Sequence, residues 1–119
     1  MCMSGFKVTR VDKEDITVLY LAGFLDAHTV PDFEKALQET INQKRYKIVV
    51  NFKDLDYISS AGLGVFMGFI EEVRANKGDI KLSNLSPRVF KVFDLLGFPA
   101  LFEIYDDESQ AIEKFLKPE

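Results

Sequence analysis

A seven-residue run, Tyr46-Lys-Ile-Val-Val-Asn-Phe52, constrains this chain more than any other feature. It is short, apolar and rich in β-branched residues, and segments with helical spacing lie on both sides of it. Such a run reads as a strand buried on both faces, the place of a central strand in a largely parallel sheet. The segment before it, about Val30–Lys44, carries Val30, Phe33, Leu37 and Ile41 at helical spacing. Thr29 is the expected N-cap there and Pro31 falls in the first turn. The segment after it, about Ser60–Asn76, is a second helix, reached through Lys53-Asp-Leu-Asp-Tyr-Ile58.

The remaining elements follow from turn and breaker residues. Phe6–Val11 and Ile16–Ala22 read as strands joined by the polar turn Asp12–Asp15, hence a hairpin. Gly23-Phe-Leu-Asp26 is expected to leave the second strand. Gly78-Asp79 turns the chain into a strand at Ile80–Ser83. Ser86-Pro87 is a cap followed by proline at the first helical position, opening a third helix to about Leu96. Gly97-Phe-Pro99 ends it, Leu101–Tyr105 reads as a short strand, and a last helix starts at Asp107 or Ser109 and runs to about Leu116. The order ββαβαβαβα implies an α/β domain with a mixed, mostly parallel sheet and an antiparallel first hairpin. A single domain over residues 1–119 is expected.

Composition narrows the function. A net charge of −4 argues against a general nucleic-acid binder, which would show a basic stripe. One cysteine, Cys2, cannot form an intrachain disulfide, as suits a reducing cytoplasm. The N-terminus shows no apolar signal-peptide core, and no apolar run approaches the roughly 20 residues that span a bilayer. A cytoplasmic protein with no membrane insertion is therefore expected. Eleven phenylalanines and no tryptophan suggest a packed aromatic core.

Most catalytic chemistries lack their residues. A nucleophile elbow needs glycine two residues before the serine, and Ile58 stands there before Ser60; His28 is the one histidine. One His and one Cys do not make a zinc set, which leaves Asp54 and Asp56 as candidates for a hard cation. Asp106, Asp107 and Glu108 read more simply as an acidic cluster at a helix start. Neither a phosphate-binding P-loop nor a dinucleotide fingerprint is present. No cofactor, no catalytic residue and no metal site is expected.

What remains is Tyr57-Ile-Ser-Ser-Ala-Gly-Leu-Gly-Val-Phe-Met-Gly68. One reading is a serine-capped helix packed through small residues. The other rests on position: the serines follow a central strand and open a helix at the carboxyl end of the sheet, where open α/β folds place their sites. A phosphate there would meet free backbone N–H groups and the positive end of the helix dipole. Helical spacing puts Leu63, Phe66, Met67, Ile70 and Val73 on the sheet side. It leaves Ala61, Val65, Gly68 and Glu72 on the other side, with Phe69 at the flank, as a shallow face that is either partly exposed or in contact with a neighbouring helix, or else a docking patch for a partner.

Asp54-Leu-Asp-Tyr-Ile-Ser-Ser-Ala-Gly-Leu-Gly64 resembles the phosphorylation-site motif of the STAS domains of bacterial anti-sigma factor antagonists. Leu21-Ala-Gly-Phe-Leu-Asp26 resembles that family's G-x-L-D segment. Leu82–Gly97 resembles its third-helix region, and Phe102–Asp106 with Ser109–Ala111 its closing strand and helix. The resemblance implies partner switching. An unphosphorylated antagonist binds an anti-sigma factor that is also a serine kinase and so frees the sigma factor. The kinase phosphorylates the antagonist with ATP, which releases it, and a serine phosphatase resets it. On this resemblance Ser60 falls on the phosphorylated serine and Ser59 on a position the family usually gives to aspartate. The docking surface it implies comprises Asp26, Ser59, Ser60, Ala61, Gly62, Gly64, Val65, Gly68 and Phe69. Ser59 is the second candidate acceptor. The Ser59 departure also leaves room for an alternative: a phosphorylation-independent STAS subunit of a lipid-transport or signalling complex.

Overall fold

The computed structural model describes residues 5–117. Cys2 lies outside them. The order is β1 (Phe6–Lys13), β2 (Ile16–Leu25), α1 (Val30–Asn42), β3 (Lys47–Ile58), α2 (Ser60–Ala75), β4 (Asp79–Ser83), α3 (Pro87–Leu95), a 3-10 turn at Phe98–Ala100, β5 (Ile104–Tyr105) and α4 (Glu108–Leu116). The five strands form one sheet in the order β1-β2-β3-β4-β5. β1 pairs antiparallel with β2 and every later pair is parallel. This is the expected mixed α/β sheet, and the apolar Tyr46–Phe52 run supplies its central strand.

Successive parallel neighbours joined by crossovers of one hand put the connecting helices on one face. Accordingly α1, α2 and α3 share one core with the sheet, built from Phe33, Leu37, Phe66, Ile70, Phe93 and their neighbours. α4 is no crossover, so it is free to cover the other face, where Ala111 meets Ile16, Val18 and Val49. The phenylalanines explain the larger core. The Phe66 ring lies 5.2 Å from Phe33, 5.8 Å from Phe52 and 6.0 Å from both Phe93 and Phe102, tying three helices to the sheet and to the segment before β5.

α4 is fixed at its start by Asp107, whose side chain accepts from the Gln110 N–H in a reciprocal capping box. Glu108 then accepts from Lys13 Nζ at 2.9 Å and Asn51 Nδ2 at 3.0 Å. Burial raises the Glu108 pKa, but the hydrogen bonds from Lys13, Tyr20 and Asn51 outweigh it, so the carboxyl titrates below its ordinary range. Tyr20 is pushed up to about 12 by burial and by its bond to Glu108.

Several boundaries differ from the sequence expectation. α1 ends at Asn42 because Lys44 takes a left-handed φ of 61°. β5 is cut to Ile104–Tyr105 because residues before it are drawn into the 3-10 turn. The largest difference lies in β2 and β3. Gly23-Phe-Leu does not leave the sheet, and Lys53–Ile58 is not a lead-out: both continue as strand to Leu25 and Ile58. Two register shifts, between Tyr20 and Ala22 and between Gly23 and Phe24, let β3 carry extra residues while the pairing continues. Gly23 makes this possible. Its φ is +92°, and a Cβ there would stand 1.9 Å from the Gly5 carbonyl oxygen. β4 pairs with β3 only as far as Asn51, so the ends of β2 and β3 project past it as an arm, edged on the β2 side by β1 as far as Gly23.

Candidate functional site

The arm delivers the two serines. Its last pair is Leu25 with Ile58, and the Ser59 N–H donates to the Leu25 carbonyl at 2.9 Å. Ser59 is extended (φ −97°, ψ 172°) and is the N-cap of α2. Its Oγ accepts from the Gly62 N–H at 3.3 Å and its carbonyl from the Leu63 N–H at 3.1 Å. Ser59 thus does the capping work that an aspartate would do, without the charge. Ser60 is the first helical residue. It is exposed, and its hydroxyl makes no hydrogen bond among the described residues. The two adjacent serines therefore differ: one hydroxyl is half-buried and committed to the backbone, the other faces solvent beside the unpaired N–H groups of a helix start.

Asp26 comes one step beyond the Leu25–Ile58 pair, which places it across from Ser59. Its Oδ1 accepts from the N–H groups of His28 at 2.9 Å and Thr29 at 3.3 Å, so this carboxylate also holds the turn into α1. Thr29 is the N-cap residue of α1 as expected, but its side chain makes no capping bond. Its Oγ1 instead donates to the Phe24 carbonyl at 2.8 Å and accepts from the Asp26 N–H at 2.9 Å. The reason is the long β2, which brings the Phe24 carbonyl within reach. His28 is exposed, 3.9 Å from Asp26.

Two of the expected docking residues lie inside. Gly62 is buried: a Cβ there would stand 2.9 Å from both Ile58 Cγ1 and Leu25 Cγ, so glycine lets α2 press onto the arm. Val65 is buried as well, whereas Met67, expected in the core, is 46% exposed. The cause is that α2 packs against α1 beside it as well as against the sheet, which widens its buried arc toward Val65. At about 100° per residue, the solvent face then runs Ser60, Gly64, Met67, Glu71. Ala61, Gly64 and Gly68 are exposed and Phe69 is half-buried, as a docking face requires. A Cβ at Gly64 or Gly68 would meet nothing within 4 Å, so neither glycine is demanded by the fold's own packing.

Sequence reasoning missed two features. One is Met67, which a single sheet-facing stripe places inside. The other is the pair Phe24 and Tyr57, 51% and 46% exposed, with ring centroids 6.2 Å apart across the arm. Asp54 and Asp56 are exposed on the same arm. No group of three metal-ligating side chains occurs among the described residues, and none of their helices is long and apolar enough to cross a membrane.

The chain is similar to known proteins. Residues 7–111 match the STAS domain family model. An anti-sigma-B factor antagonist of Bacillus subtilis (strain 168) is 33% identical over 95 residues, covering 80% of this chain and 85% of its own. The solved structure of the anti-sigma factor antagonist SpoIIAA in its unphosphorylated form is 31% identical, with a TM-score of 0.78 over 94% of this chain and 96% of that one. The phosphorylated form of the Bacillus cell fate determinant SpoIIAA superposes with a TM-score of 0.70 at 29% identity, covering 92% of this chain and 98% of that one.

Proposed function

The chain belongs to the STAS domain family, and from that premise we propose that it is an anti-sigma factor antagonist: it binds an anti-sigma factor serine kinase, releases the sigma factor that kinase holds, and is switched off by phosphorylation of Ser60. The observation that carries the reading is the inequality of the two serines. The Ser60 hydroxyl is exposed and unbonded at the first position of α2, while Ser59 Oγ is engaged as the cap. The domain acts by binding and is itself the kinase's substrate; ATP is bound by the kinase.

Phosphorylation would change binding through charge. It adds about −1.5 to −2 charge at Ser60. The group meets the positive end of α2, so the fold tolerates it. A partner covering that face would have to bury it beside Asp26, in a chain of net charge −4. An unpaired buried charge costs several kcal/mol, and each 1.4 kcal/mol is about tenfold in affinity. The switch therefore needs no change of fold. The docking surface in this reading is Ser60, Ala61, Gly64, Met67 and Gly68 with Phe69 and Asp26 at its margins, supported from beneath by Gly62 and Val65.

The test is incubation with the cognate anti-sigma factor kinase and ATP, followed by mapping of the modified residue. Modification of Ser60, its loss in Ser60→Ala, and weaker kinase binding by the phosphorylated form are expected. A Ser60→Ala chain that is still fully modified would sink the assignment, and capture of a transport ATPase in place of a kinase would favour a phosphorylation-independent role. A serine phosphatase acting on the modified chain is the third expected component.

A further inference from the structure

The arm formed by the ends of β2 and β3 has one covered face and one bare face. Leu25, Phe52, Leu55 and Ile58 are buried against the helices. The other sheet face is covered by α4 only as far as the level of Asn51, and no residue of the arm belongs to the α4 cluster. Among the described residues, nothing of the α4 cluster covers the arm's outward side chains. Phe24 and Tyr57 stand opposite one another in register, half-exposed, with their rings tilted at 42°. Asp56 immediately precedes Tyr57 and Asp54 lies three residues before it, both exposed and without an ion-pair partner among the described residues; Lys53 beside them is likewise unpaired there. A shallow cavity of about 530 Å³ adjoins Phe24 and is lined also by Gly5, Asp26, His28, Thr29 and Asp32.

We infer that this bare arm face is a second contact surface of the proposed antagonist and that it takes an arginine-bearing segment of the anti-sigma factor, the guanidinium lying over the Phe24–Tyr57 pair within reach of Asp54 and Asp56. The inference rests on the partner class proposed above. Two aromatic rings exposed side by side in a water-soluble surface lose little on being covered, and a guanidinium is the cation that both stacks on rings and pairs with carboxylates in a fixed fork. Lysine, a strongly hydrated point charge, would satisfy the carboxylates but not the rings. A second copy of this chain fits less well: it brings the same carboxylates to the same place, and each copy carries a net charge of −4. The face is continuous with the serines, since Tyr57 precedes Ser59 by two residues along the strand.

The experiment is calorimetric titration of the cognate anti-sigma factor kinase into the wild-type chain, Phe24→Ser, Tyr57→Ser and Asp54→Asn/Asp56→Asn, at two salt concentrations, with the Ser60-phosphorylated chain in parallel. Thermal melts check that each variant is folded, as exposed side chains should allow. Each aromatic substitution is expected to weaken binding at least tenfold. The double asparagine variant should also bind less tightly at low salt and lose part of the wild-type salt dependence. If all three variants bind as tightly as wild type while phosphorylation at Ser60 still releases the kinase, the arm inference falls and the partner-switching reading stands. If wild type binds no anti-sigma factor at all, the reading falls and takes the inference with it. A wild-type dimer in sedimentation that Phe24→Ser dissociates would assign the face to a second copy and overturn the inference.

Discussion

Replacing Gly64 and Gly68 by alanine should make the domain more stable and its partner binding weaker. Both glycines lie within α2 on its solvent side. Glycine inside a helix is less favourable than alanine by about 1 kcal/mol, because the unfolded chain has more conformations to lose. That gain is usually offset where the new methyl group clashes, but a Cβ at either position meets nothing within 4 Å. The full helical gain should therefore appear: about 1 kcal/mol for each substitution, about 2 kcal/mol for both, and a rise in Tm on the order of 8 °C for a domain of this size. The two sites are one helical turn apart, but each added methyl group meets nothing within 4 Å, so with no shared partner their effects should nearly add. Denaturant and thermal unfolding of the three variants measure this directly. The same methyl groups stand in the path of a partner that approaches the α2 backbone closely, and overpacking a close contact costs about 1–3 kcal/mol. Affinity for the anti-sigma factor should fall about tenfold or more while stability rises. Unchanged or lowered stability in both single variants would show that these positions are not open. A stabilised double variant that binds as wild type does would show that this face is not the docking surface.

Other expectations follow from single contacts. Ser59→Ala removes the α2 cap and should cost about 1 kcal/mol, whereas Ser59→Asp should keep the cap, add a favourable charge at the helix start and match or exceed wild-type stability; chemical denaturation ranks the three. Phe66→Ala empties the centre of a ring cluster that reaches Phe33, Phe52, Phe93 and Phe102, and should cost about 3–5 kcal/mol in the same assay. Glu108 has a folded pKa below its unfolded value, so its contribution is complete above the ordinary glutamate range and is lost as pH falls through the folded pKa. Glu108→Gln should accordingly flatten the acid limb of a stability–pH curve below about pH 4.5. Tyr20 runs the other way: with its pKa raised to about 12, its contribution holds below about pH 10 and is lost as pH rises toward 12, a limb that Tyr20→Phe should flatten.

Much of the fold was legible because it is written in local signals. Ser86-Pro87 capped and opened α3 as the dipeptide implies, with Ser86 Oγ accepting from the Val89 N–H at 3.2 Å. Asp107 capped α4. The apolar run in β3 marked the sheet's centre, and the strand–helix alternation set the topology. The position of Ser59 and Ser60 at the mouth of α2 was equally local, since a strand end followed by serine and a helical apolar pattern fixes both cap and first turn.

The tertiary structure alone decided what stands around those serines. Whether β2 and β3 stop at Ala22 and Phe52 or run on to Leu25 and Ile58 depends on two residue insertions in β3 and on a left-handed Gly23, none of which has a period that a sequence pattern can register. Which face of α2 meets water depends on α1 lying beside it, so Val65 went inside and Met67 outside, the reverse of what a single sheet-facing stripe places there. Phe24 and Tyr57 come together only because the strands pair in that register. Caps and periods are properties of neighbouring residues, and the sequence by itself determines them. Exposure is a property of what else the chain folds against that surface, and only the assembled sheet and helices determine that.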